Sequence, residues 1–215
     1  MSDPADRALA EAVALFNAGR AVEALRRCRQ ALATAPQNAG LQQLHATLRL
    51  QQGDAAGALA AIAPVLALHP GHAPALRLAA EATLRHAAHL TDAGRAAEAL
   101  PLLSALTRQQ PALAPAWFAL ALAHEDLHAP DAAAAALRQV LALQPGHVEA
   151  WVNLGLIEQR LGHLDAALDC HARAWVLRPA LLGRIAMALC SQRSGAVWLD
   201  AGALEAELRR RAAPA

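Results

Sequence analysis

The chain has 215 residues, 56% of them apolar and 17% charged, and 60 Ala with 38 Leu supply nearly half of it. That is a helix-former's composition, and two Phe, no Tyr and few β-branched runs exclude an all-β fold. All 19 basic residues are Arg and the net charge is +1, a balance that argues against a nucleic-acid partner or a polybasic membrane anchor.

The start of the chain, Met1 to Asp6, is acidic and has no apolar leader-like run. No stretch of eighteen apolar residues points to a membrane span. Cys28, Cys170 and Cys190 are odd in number and far apart, which suits thiols in a reducing compartment better than a disulfide framework. Arg-only, Ala-rich usage looks like that of a GC-rich bacterial genome, so a bacterial cytoplasmic protein is expected.

Prolines set the order of the elements. The steps from Pro36 to Pro70, from Pro111 to Pro145 and from Pro145 to Pro179 are equal, and the step from Pro70 to Pro111 is longer by seven. An alanine stands twelve positions before each of these prolines: Ala24, Ala58, Ala99, Ala133 and Ala167. Gly19, Gly53 and Gly94 precede their prolines by seventeen, where a left-handed glycine ends a helix. Each unit therefore reads as helix, turn, helix, with the proline closing the second helix. The units span about 5–38, 39–72, 73–113, 114–147 and 148–181, all in one domain covering 1–215. The seven extra residues of the third unit are nearly two helical turns, so one long helix from about Pro74 to Thr91 is predicted. Pro64 predicts a kink over 60–64 of its helix, whereas Pro101 is placed within about the first turn of its own. After Pro179, a helix over 181–192, the Ser194-Gly195 break and an amphipathic segment over 200–211 are read as a cap over 182–215. In that segment Leu199, Ala203, Leu204 and Leu208 form the predicted buried stripe, and Glu205, Glu207 and Arg209 to Arg211 face water.

In the last full unit Trp151, Leu154, Gly155, Gly162, Ala167, Ala174 and Pro179 resemble the tetratricopeptide repeat pattern, and Trp117, Leu120 and Ala121 repeat part of it one unit earlier. Glu158 and His124 stand where the family usually has an aromatic, which predicts looser helix packing there. The resemblance covers about residues 5 to 181. It implies an all-α fold, a right-handed αα superhelix of five helix pairs with C-terminal capping helices, and a concave groove lined by the first helix of each pair. Small residues at Ala121, Gly155, Ala133 and Ala167 mark the expected helix contacts, and Trp117 and Trp151 are expected to fill the space between units.

The groove is the expected binding surface. Its predicted lining is Leu44, Thr47 and Gln51 in unit two, Arg77, Glu81 and Arg85 in unit three, Phe118, Leu122, Glu125 and Asp126 in unit four, and Asn153, Leu156, Gln159 and Arg160 in unit five. Apolar anchors flanked by separated charges suit a peptide or amphipathic helix of a partner protein, and Arg77, Arg85 and Arg160 suit an acidic segment of it. The function expected is a non-enzymatic scaffold or adaptor. Alternatives are a recruiting module acting with a transferase or hydroxylase, fused or in trans, and, remotely, a zinc peptidase through His124-Glu125-x-x-His128. Against the last, the ladder places a turn at His128. His86, His89, His124, His128 and His163 gather at the turn edge, where they read as solvated residues, so neither a metal nor a cofactor is expected. Self-association through an exposed end of the stack is a further option.

Overall fold

The computed structural model describes residues 3–190 and 201–212. These residues form twelve α-helices and one 3-10 turn, and no strand is found among them. Four consecutive pairs pack together, α1 (Pro4–Asn17) with α2 (Ala21–Thr34), α3 (Ala39–Gln51) with α4 (Ala55–Leu68), α7 (Ala114–Asp126) with α8 (Pro130–Leu143), and α9 (Val148–Arg160) with α10 (Leu164–Leu177), and α5 (Ala73–Asp92) and α6 (Ala96–Gln109) stand between the second and third of these in the chain. The 3-10 turn (Pro179–Leu181), α11 (Leu182–Cys190) and α12 (Ala201–Ala212) follow. No described helix is long and apolar enough to cross a membrane.

The seven extra residues lengthen α5 to 20 residues, against 13 in α3, α7 and α9. Helix α4 runs unbroken from Ala55 to Leu68 through Pro64. The carbonyl of Ala60, which loses its helical donor to that proline, belongs to an exposed residue, so water can replace the missing bond. Pro101 needs a correction. Its helix begins at Ala96, which places the ring in the second turn instead of the first; it too is exposed.

Every hairpin turn closes in the same way. An N–H five residues on donates back to the helix: Arg20 to Leu15, Asp54 to Arg49, Arg95 to Leu90, Ala129 to His124 and His163 to Glu158, at 2.7 to 3.0 Å. This geometry needs one left-handed residue, supplied by Gly19, Gly53, Gly94 and Gly162 with φ of 71 to 83°. In the fourth turn that residue is His128, with φ 54°.

The chain divides into two compact units, 1–89 and 90–215. In the first, α1, α2 and α3 enclose Ala8, Ala12, Ala24, Cys28, Leu41 and Leu48, while α3, α4 and α5 enclose Ala46, Leu50, Ala58, Ile62, Val65, Ala75 and Ala82. In the second, α7 packs on α6 and α8, and α8 and α10 pack on α9. Ala121, Ala133, Gly155 and Ala167 are all buried at these crossings, where a larger side chain would hold the helices apart. Trp117 and Trp151 are only partly buried. Each donates its indole N–H to the carbonyl of the repeat proline that precedes it, Pro111 at 2.9 Å and Pro145 at 2.8 Å, and Gln42 does the same to Pro36 in the second hairpin.

The expected looseness at Glu158 is replaced by a polar clamp. Its buried carboxylate on α9 accepts from Arg138 of α8 and lies 2.8 Å from Nδ1 of His163. Helix α11 starts one full repeat step after α9, at Leu182 against Val148, so the repeat spacing runs on into the cap. Leu204 and Leu208 of α12 are fully buried with Trp175, Leu181, Ile185 and Leu189. Ala203 is exposed, a correction to the predicted stripe, and Arg211 turns inward from its predicted place in water to meet Asp165 and Asp169 of α10. Leu199, Ser194 and Gly195 lie outside the described residues.

Candidate functional site

In the first unit, helices α1 and α3 form a hollow of about 410 Å³ lined by Leu9, Val13, Phe16, Asn17, Gly40, Gln43, Leu44 and Thr47. Gly40 lets α3 approach α1: a Cβ there would lie 2.6 Å from a methyl of Leu9. Asn38 starts α3 by accepting from the N–H of Leu41 at 2.9 Å, which fixes where the glycine falls. The hollow has an apolar floor, two amides and a hydroxyl, and no charged group. Two predicted residues, Leu44 and Thr47, line it, whereas Gln51 is exposed at the end of α3. The lining from α1 went unnamed at the sequence level, although Val13 stands one repeat step before Thr47 and the period points to it.

Arg77, Glu81 and Arg85 lie along the exposed side of α5. Arg85 is engaged with Glu81 at 2.6 Å and with the carbonyl of Leu50 at 3.3 Å, which limits its use toward an acidic partner.

In the second unit, Phe118 of α7 sets its ring 4.8 Å from that of His147, the residue that caps α9 by accepting from the N–H of Ala150 at 3.2 Å. The phenyl ring thereby joins α7 to the start of α9. Leu122 and Asp126 are exposed and Asn153 is half-buried. Glu125 and Arg160 pair at 2.6 Å across α7 and α9, beside a hollow of about 140 Å³ lined also by His128, Ala129 and Pro130. Arg160 is thus occupied as well. Gln159 requires a correction: its side chain is buried and donates to the carbonyls of Ala188 at 3.0 Å and Leu189 at 3.4 Å, so it fastens α11 and is not open groove. Leu156 likewise faces a small cavity under α11.

The zinc-peptidase reading fails on geometry. Helix α7 ends at Asp126 and His128 sits in the left-handed turn beyond it, so the two histidines do not share a helical face. Burial lowers the pKa of His124. No group of three metal-capable side chains occurs among the described residues. Burial also pushes the thiols of Cys28 and Cys170 up, to about 11 and about 12, which leaves them unreactive, whereas Cys190 is exposed.

Five helical hairpins closed by the same backbone hydrogen bond, four of their turns on a left-handed glycine, define a helical-hairpin repeat protein. Residues 114–157 match the tetratricopeptide repeat family. MamA from Desulfovibrio magneticus RS-1 is 21% identical, with a TM-score of 0.61 over 84% of this chain and 98% of that one. A second MamA structure is 17% identical, with a TM-score of 0.65 over 85% and 96%. YrrB, described as a TPR protein with an unusual peptide-binding site, is 18% identical, with a TM-score of 0.58 over 80% and 85%. No curated protein matches the sequence. These likenesses show the all-α fold of tetratricopeptide-repeat solenoids, and residues 114–157 carry that family's own sequence pattern.

Proposed function

We propose that this protein is a non-enzymatic scaffold that binds an apolar-sided peptide or amphipathic helix of another protein on the first helices of its hairpins, in a bacterial cytoplasm. The observation that carries this reading is the uncharged hollow between α1 and α3, where Val13, Phe16 and Leu44 offer an apolar floor and Asn17 and Gln43 offer amides. Aliphatic anchors one helical turn apart would fill the floor, and the amides would set the register. The peptide-binding site of YrrB, on a similar fold, supports the same mode of action.

Val13 is 37% exposed, so a charge there leaves the fold intact and spoils the floor. Selection of a displayed library of amphipathic peptides against the purified protein is expected to enrich sequences with aliphatic residues at i and i+4. The Val13→Glu variant is expected to lose that enrichment while keeping its melting temperature. Equal enrichment by both proteins, or none by either, rules the reading out.

A further inference from the structure

The position eight before each repeat proline is a core position: Cys28, Ile62, Leu103 and Leu137 are all buried there. In the fifth hairpin it holds His171, whose ring is fully buried and whose two nitrogens have no hydrogen-bond partner among the described residues. The ring lies against Gly155 of α9, where a Cβ would come within 2.6 Å of Cε1. The ring also lines a cavity of about 90 Å³ that is walled by Val152 and Leu156 of α9 and by Leu181, Arg184 and Ile185 at and after the 3-10 turn. A buried imidazole without partners is stable only when neutral.

We propose that His171 makes the seating of α11 on α9 and α10 proton-sensitive, so that acidification releases α11 and uncovers the part of α9 beneath it. The protonated ring needs water, and the cavity makes the α11 side the shortest route for it. Helix α11 has nine residues, and besides its buried Leu and Ile side chains it is held by the bonds from Gln159. Arg184, on the wall of the same cavity, adds a like charge that favours release over ion pairing. The other charged groups of the packed elements are directed elsewhere. Glu158 of α9 is held by Arg138 of α8 and by His163, Asp169 of α10 is held by Arg211 of α12, and Arg173 of α10 is exposed. Cys170 stays a neutral thiol. Release frees Leu156 and Gln159 to join Asn153 as binding surface. That consequence rests on the binding role proposed above; the release itself does not.

Burial lowers the pKa of His171 from 6.5 to about 4. The open form takes up its proton first, so opening is favoured progressively as pH falls below 6.5 and levels off near 4. Hydrogen exchange of the α11 amides, corrected for intrinsic chemistry, is expected to show roughly 70-fold more opening at pH 4.5 than at pH 7.5, while α7 and α8 keep their protection. The His171→Leu variant copies the residue at 103 and 137 and is expected to show no such change. A His171 Cε1 titration in the wild-type protein gives an independent reading, because it requires no variant. Equal α11 protection at the two pH values, equal opening in His171→Leu, or a free-histidine titration at His171 overturns the proposal. The measurement uses no peptide, so its failure is separate from failure of the binding role.

Discussion

A left-handed backbone costs an L-residue roughly 1 to 2 kcal/mol, and the hairpin turns show where this protein bears that cost. Four of the five use glycine and the fourth uses His128 at φ 54°. Its exposed side chain lines the hollow beside Glu125 and Arg160 but carries no core packing. Replacing it with glycine removes the steric penalty and loses no buried contact. His128→Gly is therefore expected to stabilise the protein by about 1 kcal/mol in urea unfolding, whereas His128→Ala, which keeps a Cβ, is expected to bring no such gain. Gly155 is used differently: its φ is ordinary, and it is required by the imidazole packed against it.

Among the helices, the recurring device is a side-chain N–H reaching the carbonyl of the repeat proline. Tryptophan provides it in α7 and α9 and glutamine in α3, which explains why Gln42 is buried despite its polarity. Phenylalanine keeps most of the apolar area and removes the donor. Trp151→Phe is expected to lower stability by about 0.5 to 1.5 kcal/mol, and adding Trp117→Phe is expected to add a similar amount independently, because the two acceptors are different carbonyls; urea titration of the two single variants and the double variant checks both statements. Much at this scale was legible in the sequence. The prolines and glycines set the helix ends, and the seven-residue excess indicated the length of α5. Side-chain partners were less legible, because a constant repeat step fixes which helix a residue occupies but not what the neighbouring helix offers it. Gln159 looked like groove until the cap supplied carbonyls for it. His171 stands in a column of the repeat that the alanine spacing does not mark.

For a chain of repeats, stability is close to a sum of hairpins and the interfaces between neighbours, so an end needs its own closure. Here α12 provides it, with Leu204 and Leu208 inserted beside Trp175, and the Arg209 guanidinium 5.7 Å from the indole ring centre. Arg211, 14% exposed, reaches Asp165 and Asp169 at 2.8 Å each and Glu207 at 2.6 Å. Its carboxylate partners on α10 are largely exposed, so the cluster contributes less than its count of bonds suggests. Arg211→Ala is expected to raise hydrogen exchange in α12 at low salt by less than about tenfold, and the difference is expected to shrink at high salt. The contact between Gly155 and His171 also limits how the hairpins can be recombined. Helix α10 grafted behind α7 would press its imidazole onto the methyl of Ala121, whereas α8 grafted behind α9 would leave a void over the bare glycine. Shuffled chimeras of this protein must therefore exchange both helices of a hairpin together, although the regular period alone would suggest that single helices are interchangeable parts.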